Sequence, residues 1–174
     1  MTMRVTKANE VEPWLRGTHG EVDALARAVI HALELAAEDV EKWCAGLTDE
    51  EMNARPMGLP PVAFHLRHIA RSLDRLLSYA EGTQLDATQK AALRTEFDAG
   101  ATCRQVMEEL SAALHGSMER VRAFSPEHYN TDRGVGRAML PTTVGGLLVH
   151  CADHTQRHVG QAITTAKLVV AMRS

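Results

Sequence analysis

Aromatic residues and proline are scarce in this chain, and no segment is both long and apolar. Only 4% of the 174 residues are Phe, Trp or Tyr and only six are proline, whereas Ala, Leu, Arg and Glu are abundant. A composition poor in strand formers and rich in helix formers predicts an all-α fold. No stretch approaches the ~18 consecutive apolar residues of a membrane span, and MTMRVTKANEVEPWL lacks the apolar core of a signal peptide. We therefore expect a globular, cytoplasmic protein.

The chain also lacks an excess of charge of one sign. The formal net charge is -3 with histidine neutral, and acidic and basic residues are intermixed. This balance gives no general attraction to nucleic acid or to anionic membranes, so neither is expected as a partner. The three cysteines, Cys44, Cys103 and Cys151, are odd in number and widely spaced. That usage favours reduced thiols over a disulfide framework.

Apolar residues recur every three or four positions in four long segments, which is the pattern of helices that bury one face. The predicted helices cover residues 22–44, 62–81, 102–124 and 142–172. Helices of this length can pack side by side, so residues 1–174 are predicted to form a single four-helix bundle domain. Two connections are longer than an up-down bundle requires: 82–100, with a predicted short helix at 86–93, and 125–141. Such lengths are typical of a crossover or a functional loop.

Histidine is the residue that stands out: the chain has nine, and five of them lie in two short segments. In the fourth predicted helix, His154 and His158 continue the 4-3-4 rhythm of Leu147 and Cys151. The pattern places both histidines where a bundle normally has leucine. Imidazoles at positions i and i+4 lie one helical turn apart and can both reach one divalent ion. A metal site on this helix is therefore our interpretation.

The second predicted helix supplies another pair, His65 and His68. On a helical wheel His65 lies near the centre of the apolar stripe and His68 toward its edge. In the fourth helix His150, Cys151 and Gln161 share the face of the histidine pair, as alternative ligands or as residues that hydrogen-bond the ligands. Histidines that only hydrogen-bond with one another, without a metal, are the remaining alternative.

Two familiar metal sites are excluded by residues that are missing. Thr155 rather than glutamate follows His154, so the general base of a His-Glu-x-x-His peptidase is absent. Di-iron bundles need Glu-x-x-His on two helices, and the sequence contains no such pair. The histidines therefore belong to another class of site.

The histidine segments HLRHIARS, at 65–72, and DHTQRHVGQ, at 153–161, resemble the DinB-like superfamily, which includes bacillithiol S-transferase-like proteins. The order and separation of the two segments carry the resemblance. It implies a four-helix bundle with a long crossover and a three-histidine divalent metal site, usually zinc or nickel, with water completing the coordination. Matched residue by residue, the ligands are His68, His154 and His158, while His65 is an alternative ligand or a residue that supports one.

Three protein ligands leave one coordination position open, which is typical of catalytic zinc. The resemblance implies that the metal-bound water or thiol is the reacting group, with a small thiol presented to an electrophile. The leading prediction is therefore a metal-dependent thiol S-transferase or a related detoxification enzyme. The alternative is a non-catalytic metal-binding stress or sensor protein, and both leave room for a homodimer.

Overall fold

The computed structural model describes residues 11–173. Its four long helices are α1 (Ala24–Cys44), α3 (Val62–Ala80), α5 (Cys103–Arg122) and α6 (Val144–Ala171). The connections contain two short helices and a two-stranded hairpin: α2 (Asp49–Asn53), α4 (Ala87–Ala92), β1 (Asp132–Val135) and β2 (Leu140–Thr143). The helices predicted from the periodicity, including the short one after residue 82, are confirmed. Each helix within 11–173 is too short or too polar to cross a membrane.

Side chains that accept hydrogen bonds from free backbone N–H groups mark where the helices begin. Thr48 with Glu51 and Thr102 with Gln105 form reciprocal capping boxes at the starts of α2 and α5. The hydroxyl of Thr143 accepts from the backbone N–H of Gly146 at the start of α6, 3.1 Å away. These caps satisfy N–H groups that a helix start leaves without partners.

Each long helix packs against two others: α6 and α5 both contact α1 and α3. Within the described residues, α1 and α3 are not packed along each other, and neither are α5 and α6. The connections 45–61 and 123–143 therefore join helices that are not neighbours. All four long helices contribute to one apolar core, whose fully buried side chains include Ile30, Leu33, Leu66, Ile69, Leu73, Val106 and Leu148.

Contacts at both ends show that α3 and α6 run antiparallel. Near the start of α3 the hydroxyl of Thr165 donates to the carbonyl of Pro60 over 3.5 Å. At its other end, Tyr79 and Ala80 pack with Leu147. The histidine segments of the two helices consequently face each other along the same interface.

The chain is mainly helical, as predicted, but a hairpin that the periodicity did not indicate lies between α5 and α6. Its second strand includes residues 142 and 143, which were predicted as the start of the fourth helix, so α6 begins at Val144. Strands β1 and β2 pair antiparallel, with Asp132 opposite Thr143 and Val135 opposite Leu140. Arg133 donates from Nε to the carbonyl of Ala80 over 2.8 Å, which satisfies a carbonyl at the end of α3. The hairpin thus fixes the end of α3 that lies farther from the histidines.

Candidate metal centre

Four histidines of α3 and α6 meet in two pairs across the helix interface. The Nε2 atoms of His68 and His154 lie 3.2 Å apart, and the Nδ1 atoms of His65 and His158 lie 3.1 Å apart. The rings of His68 and His158 have centroids 4.5 Å apart, and those of His154 and His158 are separated by 4.6 Å. One nitrogen each of His68, His154 and His158 lies within 4.8 Å of the other two. The structure thus brings together the three residues expected as ligands.

The two histidines of α6 lie beside the core and not in it. The buried positions of this stretch of α6 are Cys151, Thr155 and Val159, whereas His154 and His158 are half-buried. The expectation that these histidines replace core leucines is therefore wrong. The core positions are the next residues along the helix, Thr155 and Val159. The error arises because α6 packs against both α1 and α3, which makes its buried face wide. Leu147 lies at the edge of that face, so a stripe extended from Leu147 follows the edge and not the centre.

On α3 the wheel places the burial correctly. His65 is 4% exposed, while the side chain of His68 is 20% exposed. The edge position brings His68, rather than His65, nitrogen to nitrogen with His154. His65 instead lies with its Nδ1 next to Nδ1 of His158.

A carboxylate that was not predicted from the sequence, Glu96, contacts His68 on the side of the ring away from His154. Oε2 of Glu96, in the connection between α4 and α5, lies 2.8 Å from Nδ1 of His68, and Oε1 accepts from Arg75 over 2.9 Å. Burial alone raises the pKa of Glu96, but the hydrogen bonds from His68 and Arg75 outweigh it and lower that pKa. An ionised carboxylate only accepts, so the contact with Glu96 places a proton on Nδ1 of His68, while Nε2 faces His154.

Aromatic rings cover one side of the cluster. Phe64 stacks on His68 with centroids 5.4 Å apart, and Phe97 stacks on Phe64 at 3.9 Å. Phe97 is 56% exposed, so it presents an apolar surface to solvent beside the histidines. This apolar wall excludes water from one side of the His68 ring.

Burial and mutual repulsion keep most of the cluster uncharged. Desolvation, followed by the neighbouring histidines, lowers the pKa values of His65 and His154 to about 4. Desolvation, followed by His68 and Arg157, lowers the pKa of His158 to about 4. At neutral pH these rings are therefore neutral, and a neutral imidazole is the form that binds a metal ion.

The three other candidates on α6 lie in different surroundings. His150 is exposed, and its Nδ1 lies 3.4 Å from Asp153 at the surface. Cys151 belongs to the apolar core, where burial raises its pKa to about 12 and keeps it a thiol. Gln161 is exposed and lines a cavity of 340 Å³ with Arg157 and other residues: Leu59, Pro60, His65, Gly160, Thr164 and Thr165. This cavity adjoins His65, whereas two larger ones, of 630 and 1050 Å³, lie along α1.

A second cluster, formed by His19, His31 and Glu34, also has ligand atoms within 4.8 Å of one another. Here Arg122 lies 3.0 Å from Nδ1 of His19. Because a guanidinium only donates, this Nδ1 is the acceptor, and the proton on Nε2 points to Glu34 over 2.7 Å. A metal at Nε2 would require a proton on Nδ1, facing Arg122. This cluster is therefore a hydrogen-bonded network, unlike that of His68, whose Nδ1 faces a carboxylate.

The lowered pKa values predict that the metal-free protein loses stability in mild acid. In the unfolded chain histidine takes up its proton near pH 6.5, whereas folded His65, His154 and His158 do so only near pH 4. The unfolded state therefore binds more protons between these values, and stability falls as the pH drops through this window. With screening at half-buried rings allowed for, we expect the free energy of unfolding to fall by about 2 to 4 kcal/mol from pH 7 to pH 5.

Urea unfolding followed by circular dichroism, with a chelator present throughout, measures this dependence. The lowered pKa of His31, also caused mainly by desolvation, contributes in the same window. The matched control is His154→Leu/His158→Leu, which removes two of the titrating rings and flattens the dependence. A wild-type stability that is constant from pH 7 to pH 5 contradicts the prediction.

Comparison with known proteins identifies the family of the chain. The family description of the DinB superfamily matches residues 32–162, which include both histidine segments. A crystal structure of a conserved protein from Enterococcus faecalis aligns with a TM-score of 0.70 and 21% identity, covering 84% of this chain and 97% of that one. The comparison with curated proteins gives no match. The resemblance seen in the histidine motifs is confirmed, and the chain belongs to the DinB superfamily.

Proposed function

We propose that His68, His154 and His158 hold one divalent transition ion, zinc or nickel, and that the protein is a metal-dependent thiol S-transferase acting in detoxification. The observation that carries the proposal is the 3.2 Å separation of the Nε2 atoms of His68 and His154. Two nitrogens bound tetrahedrally to zinc at 2.0–2.1 Å lie about 3.3 Å apart, so this pair already has ligand spacing. Imidazole nitrogen is also the donor that zinc and nickel favour.

Residues behind the ligands support the same assignment. Glu96 accepts from Nδ1 of His68, so the lone pair is on Nε2, which faces His154 at 3.2 Å and the hydroxyl of Ser72 at 3.5 Å. If His158 binds through Nε2, its Nδ1 carries the proton and donates to Nδ1 of His65, 3.1 Å away. Neutral His65 can accept that bond because its pKa is lowered to about 4. His68 and His158, on different helices, are thus each oriented by a partner at Nδ1, the nitrogen that does not bind the metal.

The fold supports a site with room for substrate. In this proposal the four long helices form a four-helix bundle whose 45–61 and 123–143 connections cross between helices that are not neighbours. The proposed ligands lie between α3 and α6, and their neighbours His65 and Arg157 line the 340 Å³ cavity. That cavity falls within the usual size range of small-molecule sites.

A divalent ion held by His68, His154 and His158 would supply an open position that lowers the pKa of a thiol, which favours attack of its sulfur on an electrophile. The protein's own residues would bind and orient the reactants. Arg157, although paired with Asp153, offers N–H donors at the edge of the cavity, and Gln161 offers an amide. Phe64 and Phe97 provide the apolar wall, which suits an electrophile with apolar groups.

The first measurable consequence is stoichiometry. Protein incubated with zinc or nickel at neutral pH and then desalted should retain about one ion per chain, because three imidazole nitrogens lie within 4.8 Å of one another. Elemental analysis of the desalted protein measures this ratio. No retained ion with either metal would leave a helical protein whose histidines only hydrogen-bond, and the proposal would be wrong.

Turnover separates the enzyme from the alternative of a non-catalytic metal-binding stress or sensor protein. Metal-loaded protein is mixed with bacillithiol, mycothiol or glutathione and a fluorogenic electrophile, and thioether formation is followed. We expect conjugation above the uncatalysed rate with one of these thiols, lost on chelation and restored by the metal. Metal binding without conjugation by any of the three thiols favours the sensor.

A further inference from the structure

Three arginines on one side of α3 hold the connection between α4 and α5 in place. They lie four residues apart, so they share one face of the helix. Arg67 donates to the carbonyl of Asp98 over 3.1 Å. Arg71 donates to the carbonyl of Ala92 over 2.7 Å, and Arg75 donates to the carboxylate of Glu96 over 2.9 Å. The 92–98 segment is thereby fixed along the helix that carries His68.

The carboxylate of Glu96 is the point where this segment meets the histidine cluster. Its side chain is only 9% exposed and lies between His68 and Arg75, at 2.8 Å and 2.9 Å. Arg75 also donates to the hydroxyl of Ser72 over 2.9 Å, which fixes its guanidinium. A buried carboxylate needs such partners, because an unpaired one is strongly destabilising.

We propose that Glu96 is the positioning residue of the metal centre, held by Arg75 so that it fixes the Nε2 lone pair of His68 toward the ion and offsets the ion's charge. The inference rests on the proposed function, since it assigns a role to a residue behind one of the proposed ligands. Carboxylates that accept from the far nitrogen of a ligating histidine set the ring's orientation and raise its basicity.

The charges of the surrounding groups explain why a carboxylate is needed here. Three neutral imidazoles bring no negative charge to a divalent ion, so the nearest anion makes a large difference in a half-buried site. Arg75 touches the carboxylate and Ser72, and the carboxylate stands between its guanidinium and the imidazole. In the second cluster Arg122 contacts the imidazole directly, which is the arrangement that opposes a metal.

The test compares zinc affinities, measured by competition with a chromophoric chelator. We expect Glu96→Ala to weaken zinc binding by about 10- to 100-fold, the range for residues behind metal ligands. Glu96→Gln keeps an oxygen that can accept from Nδ1 but loses the charge, so its affinity should lie between those of the wild type and Glu96→Ala. The matched control is Glu109→Gln, which keeps an accepting oxygen but removes the charge of a carboxylate on α5. That carboxylate contacts Arg71 at 2.8 Å and Arg67 at 3.4 Å and touches no histidine. This control should bind zinc within about twofold of the wild type.

A second measurement does not depend on the metal. Nitrogen-15 NMR of the metal-free protein should show the Nδ1–H tautomer of His68 in the wild type and in Glu109→Gln, and a mixture of tautomers in Glu96→Ala. Wild-type affinity in folded Glu96→Ala, or an equal loss in Glu109→Gln, overturns the role of Glu96 while the metal centre stands. A wild type that binds neither zinc nor nickel overturns the proposed function itself, and this inference with it.

Discussion

Leucine at both positions 154 and 158 should abolish metal binding and leave the protein folded. The double change removes two of three proposed ligands from α6. At roughly 3 kcal/mol per ligand, inferred from structural zinc sites, zinc binding should weaken more than about a thousandfold. Both rings are half-buried beside the core, so leucine fits without filling a closed space. The change leaves buried His65 without its partner on His158, which offsets the gain from removing two half-buried polar rings. The metal-free variant should therefore be within about 2 kcal/mol of the wild type at pH 7.

Thermal unfolding with and without zinc measures both the stability of the double variant and its loss of metal binding. Zinc at about a hundred times its dissociation constant stabilises the wild type by ~2.7 kcal/mol, or roughly 5 to 10 °C in a chain of this size. The double variant should show no shift. The control His115→Leu/His128→Leu makes the same chemical change at two exposed histidines away from the cluster and should keep the shift. A double variant that fails to fold would show that His154 and His158 are structural.

The sequence predicts the long helices well because their signal is local. Each buries a face against two neighbours, and the resulting three-to-four-residue periodicity survives in the chain. The capping pair Thr102 and Gln105 is local in the same way. Strands β1 and β2, of four residues each, carry too little alternation to be separated from a loop, and Pro141 lies within one of them.

The histidine cluster is only partly readable from the sequence. The pairing of α3 with α6 follows from the family motifs, which contain His68, His154 and His158. Whether a helix position faces the core or its flank depends on the neighbours of that helix, and periodicity alone put His154 and His158 in the core. The structure shows Thr155 and Val159 there instead.

Glu96 could not be found from a motif because its partner is distant in sequence and its own segment is irregular. It lies 28 residues after His68, in a connection whose path is set by arginines on α3. The readable signal is the four-residue spacing of Arg67, Arg71 and Arg75, since a row of arginines on a partly buried helix needs acceptors. An acidic residue in the next connection is then the natural candidate.

His68→Ala should weaken zinc binding more than His65→Ala but lower the stability less, and this comparison tests which histidine of α3 is the ligand. His68→Ala removes a nitrogen that lies 3.2 Å from Nε2 of His154, so zinc binding should weaken about 100- to 1000-fold. His65→Ala removes the partner of Nδ1 of His158, and a loss of about tenfold is expected.

Stability should respond in the reverse order. His65 is 4% exposed, so its truncation leaves a cavity in the α3–α6 interface and should cost about 1 to 3 kcal/mol in the metal-free protein. The His68 side chain is 20% exposed, and water can replace it beside Glu96, which keeps Arg75 as a partner. Its truncation should therefore cost less than His65→Ala. Zinc titration and urea unfolding of both variants give the two readouts, and a greater loss of zinc affinity in His65→Ala would make His65 the ligand.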